Sequence, residues 1–287
     1  YILRYIVNVL LLTSCNSLNC ELIYIHNFRE RSLTISRNIG IGIAKGEIIL
    51  FLDSDVVLDS NYLQNIIDVF QANQNALGVQ GLIKTNENPS RIREKIINTY
   101  NKIFLIQIIR KNSFKLLPSL GVMTSPDVDQ LINCEWLSGA NQSYRREILT
   151  KYFFDENLKK YSWGEDLDTS YRIFKNHPHS LYLTPNAKLI HRTSHEGRHI
   201  HKEVIYMDVI YLTYLFYKNI DQTMRNKIIY TWSRIGRVNS KWIFFIFNPS
   251  SRRLKEAVYS IQAVIFCIKH LKNLKVGDLS FFNNTIK

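Results

Sequence analysis

Apolar positions along this chain follow two periods, and the two alternate. Ile48-Ile49-Leu50-Phe51-Leu52 is an unbroken run of β-branched and large apolar residues, as expected of a strand buried on both faces. Leu77 to Ile83 and Leu131 to Leu137 read the same way, and Glu21 to His26, Leu181 to Leu183 and Lys188 to His191 read as shorter strands. Between them the spacing changes to that of helices. Ser32 to Ala44 predicts a helix capped by Ser32 or Thr34, and a helix opened by Ser60 carries Tyr62, Leu63, Ile66, Ile67 and Phe70 on one side. Helices are also predicted for Tyr1 to Leu12, Pro89 to Arg110, Arg145 to Lys151 and Glu165 to Lys175. Residues 111–130 read as irregular. The alternation predicts an α/β fold whose sheet is mostly parallel and flanked by helices. From Glu196 the strands stop, and helices are expected over Val204 to Tyr217, Trp242 to Phe247 and Arg252 to Leu271. This divides the chain into an α/β domain over 1–195 and a helical extension over 196–287.

The chemistry concentrates at three places in the first part. Asp53-Ser54-Asp55 stands where the most apolar strand ends, the edge at which open α/β sheets bind ligands. Two carboxylates there suit a hard divalent cation, the usual bridge to a diphosphate. Glu165-Asp166 opens a helix, where acids are also routine partners of the helix dipole. One of them is a candidate general base for an acceptor hydroxyl. Trp163-Gly164 just before them suits a close approach beside a ring-shaped substrate. His191 ends a short strand and is a candidate third ligand for the same ion, although a lone histidine is more often structural. His195, His199 and His201 follow it and offer a separate metal site as an alternative.

Charge changes the picture of the second part. The 287 residues carry a formal charge of +13, and the last 100 hold 17 Lys/Arg against 6 Asp/Glu, which leaves the rest nearly balanced. Lys202 and Lys218 bound a helix rich in aromatics. Arg252, Arg253, Lys255, Lys269 and Lys272 edge a stripe of Ala257, Val258, Ile261, Val264, Ile265 and Ile268. Apolar faces edged by cations fit an anionic membrane surface, or they pack on the first domain. No nucleic-acid module accompanies the charge, so nucleic acid is not the expected partner. The longest uncharged apolar stretches fall short of the roughly 18–20 residues a bilayer span needs. Cys15, Cys20, Cys134 and Cys267 have no zinc-ligand spacing and are read as reduced thiols. A cytoplasmic protein, peripheral on the inner face of the cell membrane, is expected.

Five blocks taken together resemble the family 2 glycosyltransferases of GT-A fold. They are Ser36-Arg37-Asn38-Ile39-Gly40, Ala44 to Asp55, Leu137 to Asn141, Trp163-Gly164-Glu165-Asp166-Leu167-Asp168, and His191. The resemblance implies an inverting transferase that moves a sugar from a nucleotide-diphosphate sugar to a hydroxyl of a glycan or lipid-linked acceptor, in cell-surface polysaccharide synthesis. It implies Mn²⁺ or Mg²⁺ held by Asp55, Asp53 and His191, with Asp53 also on the ribose side. Arg37 lies near the nucleotide, Gly139 and Asn141 in the floor of the donor and acceptor site, and Trp163 beside it. Asp166 is the general base, its pKa raised by burial or by Glu165, and Glu165 orients the acceptor. The family's two leading strands, with the nucleobase-gripping Asp, have no counterpart before Tyr1-Ile2, so an N-terminal truncation is expected. Two other readings compete: a non-catalytic scaffold of the same fold, and a sugar-nucleotide nucleotidyltransferase, which calls for a glycine-rich phosphate loop.

Overall fold

A computed structural model describes residues 23–30, 32–84, 91–192 and 202–285. The expected helix over Tyr1 to Leu12, Cys15, Cys20, His195, His199 and His201 lie outside them. In chain order the elements are α1 (Leu33–Ile43), β1 (Ile48–Leu50), β2 (Val56–Leu58), α2 (Tyr62–Ala72), β3 (Gly78–Lys84), α3 (Arg91–Ile103), β4 (Gln107–Ile109), β5 (Lys115–Leu116), β6 (Val122–Thr124) and β7 (Ile132–Cys134). They continue with β8 (Gln142–Arg145), α4 (Arg146–Leu149), α5 (Glu165–Asn176), β9 (Leu181–His191), α6 (Lys202–Asn219), α7 (Met224–Phe247), α8 (Ser251–Lys269), α9 (Leu271–Lys275) and α10 (Ser280–Asn283). They form two compact units. The first comprises the described residues within 1–86, 126–160 and 165–194; the second comprises those within 87–125, 161–164 and 195–287.

The first unit is a six-stranded sheet in the order β1-β8-β3-β9-β2, with β7 also on β9. Its class is the expected α/β with flanking helices, and the sheet is mixed. The expectation of a mostly parallel sheet is corrected: within this sheet, among the described residues, only the β3–β9 pair is parallel, and β1–β8, β3–β8, β2–β9 and β7–β9 are antiparallel. A buried strand looks the same in sequence whichever way its neighbour runs, so burial pattern carries no direction. One face is covered by α2. Tyr62, Ile66, Val69 and Phe70, at helical spacing, pack with Leu50, Ala76, Val79, Ala187 and Leu189. The two short strands expected at 181–183 and 188–191 are one strand, β9. Its register against β3 skips Pro185, Asn186 and Ala187 between Gly81 and Leu82. Only a glycine fits at 81, where a Cβ would stand 2.3 Å from the Ala187 carbonyl oxygen and 2.5 Å from the Tyr62 ring. On the N-terminal side, Thr34 donates to the Leu158 carbonyl at 2.8 Å and Asn38 exchanges hydrogen bonds with the Phe154 backbone, which ties α1 to the loop before α5.

The second unit is helical around α6, with a small sheet β4-β6-β5. The helix expected over 89–110 ends at Ile103, because Leu105 takes φ 50 and turns the chain into β4. Residues 111–130 are not wholly irregular, since they supply β5 and β6. The helix expected at Trp242 is the end of α7, which starts at Met224. The buried positions of α7 are Tyr230, Ser233 and Gly236, a face too small and polar to read as a hydrophobic stripe. Helix α3 closes onto it: Tyr100 donates to the Gly236 carbonyl at 2.7 Å, Trp232 donates to the Ile103 carbonyl at 2.8 Å, and the Phe104 and Trp232 rings stack at 4.8 Å. Tyr211, Tyr214 and Phe216 of α6 are core residues, so its aromatic face does not lie open to a membrane. Cys134 and Cys267 are free thiols, as expected.

Candidate active site

Two strands bring the aspartates to one place. Past β1 the chain stays paired, Phe51 N–H donating to the Gln142 carbonyl at 2.9 Å and Asp53 N–H to the Ala140 carbonyl at 3.2 Å. It bends through Ser54 and enters β2, whose Val56 stands opposite His191 of β9. The Arg192 N–H donates to the Asp55 carbonyl at 2.8 Å, closing that end. His191 thus arrives at Asp55 through strand register, with its Nε2 2.9 Å from Asp55 Oδ1. Asp53, Asp55 and His191 each offer a ligand atom, and these atoms lie within 4.8 Å of one another. All three side chains are partly open to solvent. Two carboxylates and an imidazole are an acceptable donor set for Mn²⁺ or Mg²⁺, so the residues fit the ion that the resemblance implies.

Behind them lies Arg37, 4% exposed on α1. Its guanidinium Nη1 lies 2.5 Å from Glu165 Oε1, and its Nη2 donates to the Gly139 carbonyl at 3.0 Å and stands 3.9 Å from Asp53 Oδ1. It lies over the Phe51 and Phe154 rings at 5.5 and 5.2 Å. So buried, Arg37 is held by the protein's own carboxylates and rings. Glu165 is buried as well, with its Oε2 unpartnered. Desolvation pushes its carboxyl up to about 8, against the pull of Arg37 and with help from the Asp166 charge. The Asp53 carboxyl is raised too, first by burial and then opposed by Arg37 and His191.

Asp166 faces differently from its neighbour. It is partly exposed, and its Oδ2 accepts from the Gly139 N–H at 2.9 Å while Oδ1 accepts from the Leu167 N–H at 2.8 Å. Gly139 sits at the hub: a Cβ there would lie 3.1 Å from Glu165 Oε1, 3.3 Å from Asp166 Oδ2 and 3.5 Å from Arg37 Nη2. Asn141 is fully buried, its Nδ2 donating to the Gly81 carbonyl at 2.9 Å, so it braces the turn from below. Gln80 does the same, its Oε1 accepting from the Ser138 N–H at 2.7 Å. Gln80 was not among the residues singled out in the sequence, although a glutamine inside the apolar strand Leu77 to Ile83 was a signal for it. Trp163 belongs to the second unit, its ring 5.9 Å from that of Tyr161. The close approach expected at Gly164 is to a side chain of the protein: with φ +85, a Cβ there would lie 2.9 Å from Leu215.

A mixed sheet with a strand-end Asp-x-Asp, a histidine across from it and an acid-led helix beside it defines a class, the glycosyltransferases of GT-A fold. Residues 11–153 match the model of glycosyl transferase family 2, and the chain belongs to that family. Glu165, Asp166 and His191 lie beyond the matched stretch. No curated protein matches the sequence. Among solved structures, S. aureus TarS 1-349 in complex with UDP-GlcNAc is similar over 92% of this chain and 69% of its own, at 15% identity and a TM-score of 0.51. GalNAc-T7, solved with UDP, GalNAc and Mn²⁺, is matched over 74% of this chain at 15% identity and a TM-score of 0.46. The mannosyltransferase PcManGT of Pyrobaculum calidifontis, with GDP-Man and Mn²⁺, is matched over 85% at 11% identity and 0.46. The chain spans 42% of the length of GalNAc-T7 and 68% of that of PcManGT.

Proposed function

We propose that the chain is an inverting glycosyltransferase that moves a sugar from a nucleotide-diphosphate sugar to a hydroxyl of a glycan or glycolipid, at a membrane surface and in the building of a cell-surface polysaccharide. The observation that carries this reading is the convergence, in one unit, of Asp53, Asp55 and His191 with Asp166 through Arg37 and Gly139. Asp55, Asp53 and His191 are the residues to hold Mn²⁺ or Mg²⁺, which when bound neutralises charge on the leaving diphosphate. Asp166 is the base. It accepts the proton of the acceptor hydroxyl as that oxygen bonds to the anomeric carbon, and the nucleoside diphosphate departs with the electrons of the broken C–O bond. One displacement inverts the anomeric centre. The Gly139 N–H holds the Asp166 carboxylate in place for this. Glu165, 5% exposed, acts through Arg37 rather than by touching the acceptor. The basic second unit is the part that meets anionic lipid.

The test is a panel of UDP-, GDP- and dTDP-sugars, each with Mn²⁺ or Mg²⁺, offered to the full chain and to Asp55→Ala and Asp166→Asn. One donor is expected to release its nucleoside diphosphate in a metal-dependent way. Asp55→Ala abolishes the metal dependence. Asp166→Asn lowers turnover by about 10²–10⁴-fold while nucleotide binding persists. If no donor binds in the presence of either metal, the reading fails and the non-catalytic scaffold takes its place.

A further inference from the structure

Helices α7 and α8 are joined by Asn248-Pro249-Ser250, and the two ends that meet there stand clear of the packed part of their unit. Along α7 the last buried residue is Gly236, and along α8 the first is Ala257. The projecting stretch is strongly apolar at its tip. Phe247 is 84% exposed, Ile246 69%, Phe244 45%, Leu254 40% and Ile243 39%. Clusters of this kind on a soluble surface mark a contact. The tip is also well formed. Ser250 accepts from the Arg253 N–H at 3.2 Å as the N-cap of α8, and Arg253 donates to the Asn248 carbonyl at 2.8 Å, closing the turn.

Charge decides between occupants. From Lys241 to Lys255 there are four cations, Lys241, Arg252, Arg253 and Lys255, and no Asp or Glu; the next residue, Glu256, pairs with Arg252 at 3.1 Å. A two-fold contact between copies of this chain through the tip would set these cations against their own images, which opposes it. An anionic bilayer meets both features, the apolar side chains entering the boundary below the headgroups and the cations remaining at the phosphates. Among the described residues no helix is long and apolar enough to cross a membrane. Helix α7 carries Arg225, Lys227, Arg234, Arg237 and Lys241, so insertion is confined to the tip.

We propose that the α7–α8 hairpin tip is a membrane-seating element, inserting Ile243, Phe244, Ile246, Phe247 and Leu254 into the surface of an anionic bilayer beneath a collar of Lys241, Arg252, Arg253 and Lys255. This deepens the membrane-surface reading above. It is tested without turnover, so its failure and that of the transferase chemistry are separable.

The experiment is sedimentation of the full chain with phosphatidylcholine vesicles and with vesicles that also contain phosphatidylglycerol, alongside light scattering in their absence. The chain is expected to pellet with the anionic vesicles and to be released by salt. The double variant Phe244→Ser/Phe247→Ser is expected to lose at least about tenfold in partitioning. Lys241→Gln/Lys255→Gln is expected to narrow the gap between anionic and neutral vesicles. All the substituted positions lie outside the packed core, so unchanged melting of both variants is part of the expected result. Vesicle binding that survives Phe244→Ser/Phe247→Ser overturns the proposal. So does a chain that pellets with neither vesicle, or a dimer that the double variant dissolves.

Discussion

Glu165 and Asp166 are neighbours in sequence with different surroundings, and this difference is the main residue-scale finding. The helix turn points Glu165 inward to Arg37, where burial raises its pKa to about 8, and leaves Asp166 partly open beside Gly139. An unfolded glutamate titrates near about 4.3. Between those values the folded chain holds a proton that the unfolded chain has released. The contribution to stability is therefore full at low pH and is lost as pH rises toward and through about 8. Glu165→Gln, which cannot ionise, is expected to flatten this decline. Urea denaturation of both proteins at roughly pH 5, 7 and 9 checks it, and parallel profiles would mean that Glu165 titrates alike in both states. Both acids were legible from position alone. Which of them stays partly open to solvent was not, because first-turn acids on a helix point about 100° apart and only the packing of Arg37 selects the buried one.

At the scale of elements, the candidate metal site depends on register. His191 reaches Asp55 because β2 pairs with β9 so that Val56 faces His191, and a slip of one residue would turn the histidine to the other side of the sheet. That register follows the skip in β9 opposite Gly81, where the backbones come too close for any Cβ. Gly81→Ala is expected to destabilise the chain by about 1–3 kcal/mol, since both neighbours of the new methyl are buried and one is backbone. It should also weaken Mn²⁺ binding, through displacement of β9 and of the Asn141 amide that bonds to the Gly81 carbonyl. Thermal melts with and without Mn²⁺ read both effects, and a variant with wild-type values in both would remove the bulge from the account. The existence of β1, β3, α1, α2 and α5 could be read from periodicity. The long β9 could not, because Pro185-Asn186 looks like a break in a strand and only the pairing with β3 shows that it is a bulge.

At the scale of the whole chain, the candidate metal ligands and the basic helices fall in different units. A cation that binds the folded chain and not the unfolded one stabilises by mass action, about 2.7 kcal/mol at a hundredfold excess over its dissociation constant. Mn²⁺ is accordingly expected to raise the unfolding midpoint. Asp55→Ala should abolish the rise, and Phe244→Ser/Phe247→Ser should keep it, which calorimetry of the three proteins measures. A rise that persists in Asp55→Ala would move the ion elsewhere. Sequence by itself determined the α/β class, the strand that leads to Asp53, the acids of α5 and the excess of positive charge in the last 100 residues. These are local matters of side-chain period and composition. Tertiary structure alone decided strand direction, the burial of Asn141 and Glu165, the assignment of residues 87–125 to the unit of the C-terminal helices, and which apolar side chains stay in water. Each depends on what lies across from a residue, and residues far apart in the chain meet only when the fold closes.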